Sequence, residues 1–354
     1  MIFIDWKYHL VSSKDIVDDF LKHNYDYKSA VKKLQRMDFG AKQYDNIIGI
    51  FPFIWSYMFY YIILDTYHNT DNILIEVVLI LLLMPIFSAL REITHFTTHN
   101  VLTKNKKLGF WITDVFFQYP LLLGNMPDRY RRHTLLHHKY TCIEKGDPVI
   151  DDLLESGLKP KMNNMEFIKL IFYPLTPTGI YRNIYGIIKN QFSMNYGLSS
   201  FITRNIVTIS IVFLFIYNEY YMEFIFLYLV PLLFIYPLFT WMTQLIEHRW
   251  FIPLDSSLDK VNTEMVVGRA TEYEGVNGML LSSFFLYYAD RHHLAHSLVP
   301  RARWNYLSVI DKVLKEVFPK IYMQNASGGL IKSSKGYKYS ALSELYDRVV
   351  SSKK

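Results

Sequence analysis

Cysteine is almost absent: Cys142 stands alone in 354 residues. An intrachain disulfide and a multi-thiolate metal site are therefore excluded, and with them iron–sulfur and soft-metal chemistry. Any metal must be held by nitrogen and oxygen. A basic module studded with aromatics is also missing, so a net charge of +6 does not read as nucleic-acid binding. No secretory leader is legible, because Met1-Ile2-Phe3-Ile4-Asp5 is a short apolar run without basic residues before it. Lys and Arg are missing from two short stretches, residues 65–71 and 218–221.

What is present is apolar and unevenly spread. The chain is 51% apolar and 17% aromatic, and these residues gather in blocks long enough to cross a bilayer. The blocks predict spans at about residues 46–64, 72–90, 202–217 and 222–241. Pro52 falls inside the first, as membrane helices tolerate. Residues 108–124 and 165–188 are apolar but interrupted by charges and prolines, and read as helices lying in the interface. The links within each pair of spans carry no Lys or Arg, whereas residues 1–45, 91–200 and 243–354 hold almost all of it. By the positive-inside rule the termini face the cytoplasm. The expected fold is an all-α integral membrane protein, with four transmembrane helices in two hairpins and a cytoplasmic helical cap. Its parts are a cytoplasmic N-terminal helical segment (1–45), a membrane domain (46–312) and a cytoplasmic C-terminal tail (313–354). Asp15 to Arg36 reads as a surface or interfacial helix, and Asn325-Ala326-Ser327-Gly328-Gly329 as a flexible link.

Of the twelve histidines, eight fall in three groups: His95 and His99; His133, His137 and His138; His292, His293 and His296. His248 is a ninth, alone after the last span. Residues four apart on an α-helix lie about 40° apart around the axis, so His95 with His99, and His133 with His137, share a face. His138 points elsewhere and is placed to reach a second ion. Neutral imidazole suits iron, zinc and copper, and eight or nine rings exceed what one ion uses. The count points to two metals. Neither His-x-x-x-His carries glutamate after its first histidine, which excludes a zinc protease of that type. His68, in an outer link, reads as a surface residue, and His9 and His23 as solvated ones.

In these residues the chain resembles the membrane fatty-acid desaturase superfamily, the integral-membrane di-iron enzymes with three histidine boxes. His95-Phe96-Thr97-Thr98-His99 is similar to the first box. His133-Thr134-Leu135-Leu136-His137-His138, followed by Thr141 and Asp147-Pro148, is similar to the second. Glu247-His248 resembles the extra histidine after the last span. Gln244 stands where an amide near the metals occurs in some members. His293-Leu294-Ala295-His296 with Pro300 resembles the third box, except that Ser297 occupies the place of its last histidine. His292 is the nearest replacement.

The resemblance implies two non-haem irons held by His95, His99, His133, His137, His138, His248, His293 and His296. His292, Gln244, Ser297, Asp147 and Glu247 are further candidates at or beside the metals, and Glu92 and Asp290 are candidates to orient ligating rings. It also implies O2 as co-substrate and a fatty acyl lipid, acyl-CoA or acyl-carrier substrate threaded beneath the irons. A separate electron donor of ferredoxin or haem-cytochrome type is implied as well. The activity implied is insertion of a double bond into a fatty acyl chain. A hydroxylase of an alkyl, acyl or carotenoid-like substrate is the rival on the same site, and a non-enzymatic membrane metal or haem protein is the rival from another class.

Overall fold

The structure, a computed structural model, describes residues 13–37, 39, 45–255, 258–273 and 291–350. It is mostly helical, and the helices sort into a bundle of long apolar helices and a layer of shorter ones, the cap.

The bundle holds two pairs of consecutive helices. In the first, α3 (Asp45–His68) packs along α4 (Ile73–Thr98). In the second, α11 (Leu198–Tyr217) is followed at once by α12 (Tyr221–Glu247). Among the described residues, three helices are long and apolar enough to cross a membrane: α4, α11 and α12. Phe53, Ile63, Leu79, Leu83, Phe215, Leu227 and Leu232 pack one continuous core. Ile54, Tyr61, Leu74, Val78, Ile206, Ile209 and Phe213 face outward and exposed. A row of large apolar side chains on the outside is costly in water and matches a lipid surroundings.

Two of these helices run on past the ends expected from hydropathy. Apart from Leu79 and Leu83, the first half of α4 is exposed or half-buried, but every residue from Ile86 to His99 is buried. The helix leaves the lipid-facing layer and enters the cap without a break, carrying His95 with it. It stops where Asn100 adopts a left-handed backbone with φ 59. Val101 N then donates back to Phe96 O at 3.3 Å, the closing turn that an αL residue permits. In the same way α12 carries Glu247 beyond residue 241 to its end. Two π-helical stretches, Phe224–Leu229 and Pro231–Ile235, interrupt it, as expected where Pro231 supplies no N–H.

The cap is built from both ends of the chain. Helices α1 (Ser13–His23) and α2 (Tyr27–Arg36) bury Ile16, Phe20, Val31 and Leu34 against Leu298, Leu307, Ile310 and Leu314. Their apolar faces therefore close on protein, where the sequence alone suggested a surface or interfacial helix. Between α4 and α11 come α5 (Lys106–Thr113), α6 (Met126–Tyr130), α7 (His138–Tyr140), α8 (Pro148–Glu155), α9 (Asn164–Ile171) and α10 (Pro177–Phe192). Trp111, Phe116, Met165, Ile168, Tyr181 and Ile188 on this stretch are exposed.

After α12 come α13 (Lys260–Val267), α14 (His293–Leu298), α15 (Trp304–Val317), α16 (Pro319–Asn325) and α17 (Ala341–Val349). Ala270–Thr271 (β1) pairs in parallel with Ala326–Ser327 (β2). The stretch read as a flexible link is thus a buried rung of this small sheet, with Ser327 fully enclosed. Its backbone groups are tied down by Glu272 N, which donates to Ser327 O at 2.8 Å.

Candidate metal centre

The second histidine group does not lie on an ordinary α-helix. Arg131–His137 is π-helical, so residues five apart rather than four come together along the chain. His133 Nε2 faces His138 Nε2 at 3.1 Å, and His137 is turned to a different set of partners. The α-helical spacing predicts His133 with His137. The extra residue per turn reverses that pairing and assigns the two adjacent histidines to different groups.

The rings accordingly form two groups. His95, His99, His133, His138 and His296 each offer a nitrogen within 4.8 Å of the others. His133 Nε2 lies 3.2 Å from His99 Nε2, and His95 stands edge-on to both His133 and His296 with ring centroids 4.3 Å apart. His137, Glu247 and His248 make the second group by the same measure. His248 Nε2 is 3.2 Å from His137 Nε2 and 3.1 Å from His293 Nε2. All eight histidines expected as ligands are therefore in or against these two groups. The elements that hold them are the end of α4, the π-helical stretch, the end of α12 and α14. Thr134 Oγ1 locks two of these together by donating to Thr98 O at 2.8 Å.

The electrostatics disfavour protonation of most of the rings. Burial, reinforced by neighbouring imidazoles and cations, pushes His99, His133, His138, His248 and His293 well below the ordinary histidine range. His296 is lowered to about 3. These rings are neutral, the form that gives a lone pair to a metal. His95 Nε2 and both ring nitrogens of His296 are buried with no hydrogen-bond partner among the described residues. Such atoms are costly to enclose unless something accepts their lone pairs. The donor set thus fits bound cations with nitrogen-rich coordination.

His137 is the exception. Burial pushes it down, but the Asp147 carboxylate against its Nδ1, at 2.8 Å, more than reverses this and raises it to about 9. Asp147 is itself rigidly set. It is fully buried and caps α8 by accepting from Val149 N at 2.9 Å, with Pro148 at the first helical position. Its other oxygen accepts from Cys142 N at 2.9 Å. A carboxylate fixed on Nδ1–H leaves Nε2 free to face the group, the usual arrangement for a ligating histidine.

The other candidates are placed as follows. His292 is turned away from both groups, with Nδ1 3.1 Å from Asp311 Oδ2 on α15, so it does not replace the missing third-box ring. The hydroxyl of Tyr322 donates to the same Asp311 oxygen at 2.8 Å. Gln244 is half-buried on α12, one turn before His248. Glu92 is buried and lies 3.6 Å from the Arg91 guanidinium. Asp290 is outside the described residues. Ser297 is buried beside Glu264 of α13.

Glu264 was not singled out from the sequence. Only 1% exposed, it accepts from Thr141 Oγ1 at 2.9 Å through Oε1, while Oε2 has no partner among the described residues. Burial pushes its carboxyl up, against the opposing pull of Thr141 and His137. Nothing local in the sequence marks it, because its partner Thr141 is 123 residues away.

Comparison with known proteins agrees with this geometry. No curated protein matches the chain. A family model described as fatty acid desaturase matches residues 73–325, the stretch that contains both histidine groups and three apolar helices long enough to span a membrane. By that match and by the site it encloses, the chain belongs to the fatty acid desaturase family.

Proposed function

We propose that the chain is an O2-dependent desaturase that introduces a double bond into a fatty acyl chain, using two non-haem iron ions. One ion would be held by His95, His99, His133, His138 and His296, the other by His137, His248 and His293 with the Glu247 carboxylate. The observation that supports this most is the division of the rings by the π-helical stretch into two groups set at the ends of long apolar helices. Bound there, the two irons supply the oxidation of an unactivated C–H bond, which no side-chain acid or base performs.

The chain's own residues prepare that chemistry. Burial keeps most of the rings neutral, and Asp147 sets the tautomer and direction of His137. Trp250, fully buried with its ring centroid 5.2 Å from that of His248, shields this flank from water. The outward-facing apolar helices hold the site at a lipid surface, where an acyl chain is available as substrate. Acyl-lipid, acyl-CoA and acyl-carrier forms all present that chain. The four-span reading adds α3 to the three apolar helices, places both termini and the histidines on the cytoplasmic side, and keeps residues 1–45 and 313–354 in the cytoplasm. Electrons come from a separate ferredoxin or haem-cytochrome donor.

Hydroxylation of an alkyl, acyl or carotenoid-like substrate is the second reading, favoured by one departure: Ser297, beside the buried Glu264, stands where a further imidazole is expected. Expression in a host with simple lipids, followed by mass analysis of the acyl chains, tests both. Loss of two hydrogens supports the desaturase and gain of one oxygen the hydroxylase. An unchanged lipid profile from protein that carries its iron and is supplied with reductant would overturn both.

A further inference from the structure

The family match ends at residue 325, yet the segment beyond it reaches back to the histidines. Glu344 of α17, 6% exposed, accepts from three guanidinium groups. Arg249 Nε donates at 2.8 Å, Arg269 Nη1 at 2.5 Å, and Arg348 Nη2 at 2.6 Å. Two of these arginines lead directly to metal-facing histidines.

Arg249 is the residue after His248. Its backbone N donates to Val267 O at 2.8 Å and its Nη1 to Asn325 Oδ1 at 2.6 Å. Arg269 is 1% exposed, and its Nη2 donates to the carbonyl of His248 at 3.4 Å. Its Nη1 also reaches Ser327 Oγ at 2.7 Å, and its own carbonyl accepts from Leu294 N at 2.8 Å, next to His293. Arg348 differs from both: it lies four residues from Glu344 on the same helix. One buried carboxylate therefore anchors the backbone on both sides of the His248–His293 contact. A buried guanidinium tolerates its site only while its partner is in place, so Arg269 depends on Glu344.

We propose that Glu344 is a positioning residue for the second metal group. Through Arg249 and Arg269 it holds His248 and His293 in register with His137, so that a helix outside the family match sets one ion's affinity and leaves the other's unchanged. This rests on the two-iron reading above.

The test uses the full chain purified in detergent and loaded with ferrous iron, read by metal analysis and Mössbauer spectroscopy. Wild type is expected to show two iron sites. Glu344→Gln is expected to weaken one of them roughly 10–100-fold and leave the other intact, with Glu344→Asp recovering part of the loss. Arg348→Ala, which removes one guanidinium from Glu344 but leaves its bonds to Arg249 and Arg269 in place, is expected to keep both. Should Glu344→Gln fail to fold, Arg269→Lys is expected to show the same one-site loss. Both sites retained at wild-type affinity in the Glu344→Gln or Arg269→Lys protein would overturn the proposal. So would an equal loss in Arg348→Ala, which would reduce Glu344 to a packing contact. Wild type that binds no iron would instead overturn the two-iron reading itself.

Discussion

His133 and His138 meet Nε2 to Nε2 at 3.1 Å, while His137, beside His138 in the chain, faces His248 at 3.2 Å. A π-helical stretch places residues five apart together, and here it divides one histidine box between two groups. Such stretches are rare and concentrate at functional sites. The arrangement makes the two adjacent histidines separable by experiment.

His138→Ala and His137→Ala are expected to abolish activity alike but to remove different irons. Mössbauer spectra of the two variants should each retain one site, and not the same one. Identical residual spectra would mean that both rings serve a single ion.

Asp147→Asn keeps the cap on α8 but weakens the charge-assisted hold on His137 Nδ1. Loss of such a partner typically costs roughly 10–100-fold in metal affinity. Iron titration should show that loss confined to the group containing His137. Unchanged affinity would remove Asp147 from any role in orienting the ring.

Ser297→His puts a large ring at a position only 2% exposed, against Glu264. Overpacking of this kind costs about 1–3 kcal/mol, so thermal unfolding should move to lower temperature with no gain in bound iron. A stable variant with more iron would show that the pocket accepts an imidazole as a ligand.

Glu344 contributes a pH dependence whose sign follows from its environment. Burial pushes its carboxyl up, but the guanidiniums of Arg269 and Arg249, with Arg348 beside them, overcome this and hold it at about 2 against an ordinary 4.5. A group depressed in the folded state stabilises above its unfolded value and loses that contribution as pH falls through the folded one. The stability difference between wild type and Glu344→Gln should therefore be constant above pH 4.5 and shrink towards pH 2. A difference that does not change with pH would mean that the charge is not what holds α17.

His68 is the control. It is bonded to Glu223 at 2.8 Å and its ring lies tilted against Tyr220, at the end of α3 and remote in the chain from every box. His68→Ala is expected to leave the acyl product unchanged and to cost about 1 kcal/mol of stability. A large loss of activity with the protein intact would show that the site has been misplaced.

The sequence by itself determined the apolar blocks, the residue types at the site and the exclusion of thiolate chemistry. Each is a local property: a run of apolar residues is its own signal, and histidines at helical spacing announce themselves. The Asp147-Pro148 pair was legible only through the resemblance, as a sequel to the second box, and its capping of α8 came from the structure. Tertiary structure alone decided which ring joins which group. That choice depends on one extra residue in a helical turn, and neither composition nor spacing records it. It also turned His292 towards Asp311, set Glu264 beside Ser297, and brought Glu344 to Arg269 across 75 residues of chain. Those contacts are made between distant segments whose charges look like ordinary surface residues until folding removes the water around them.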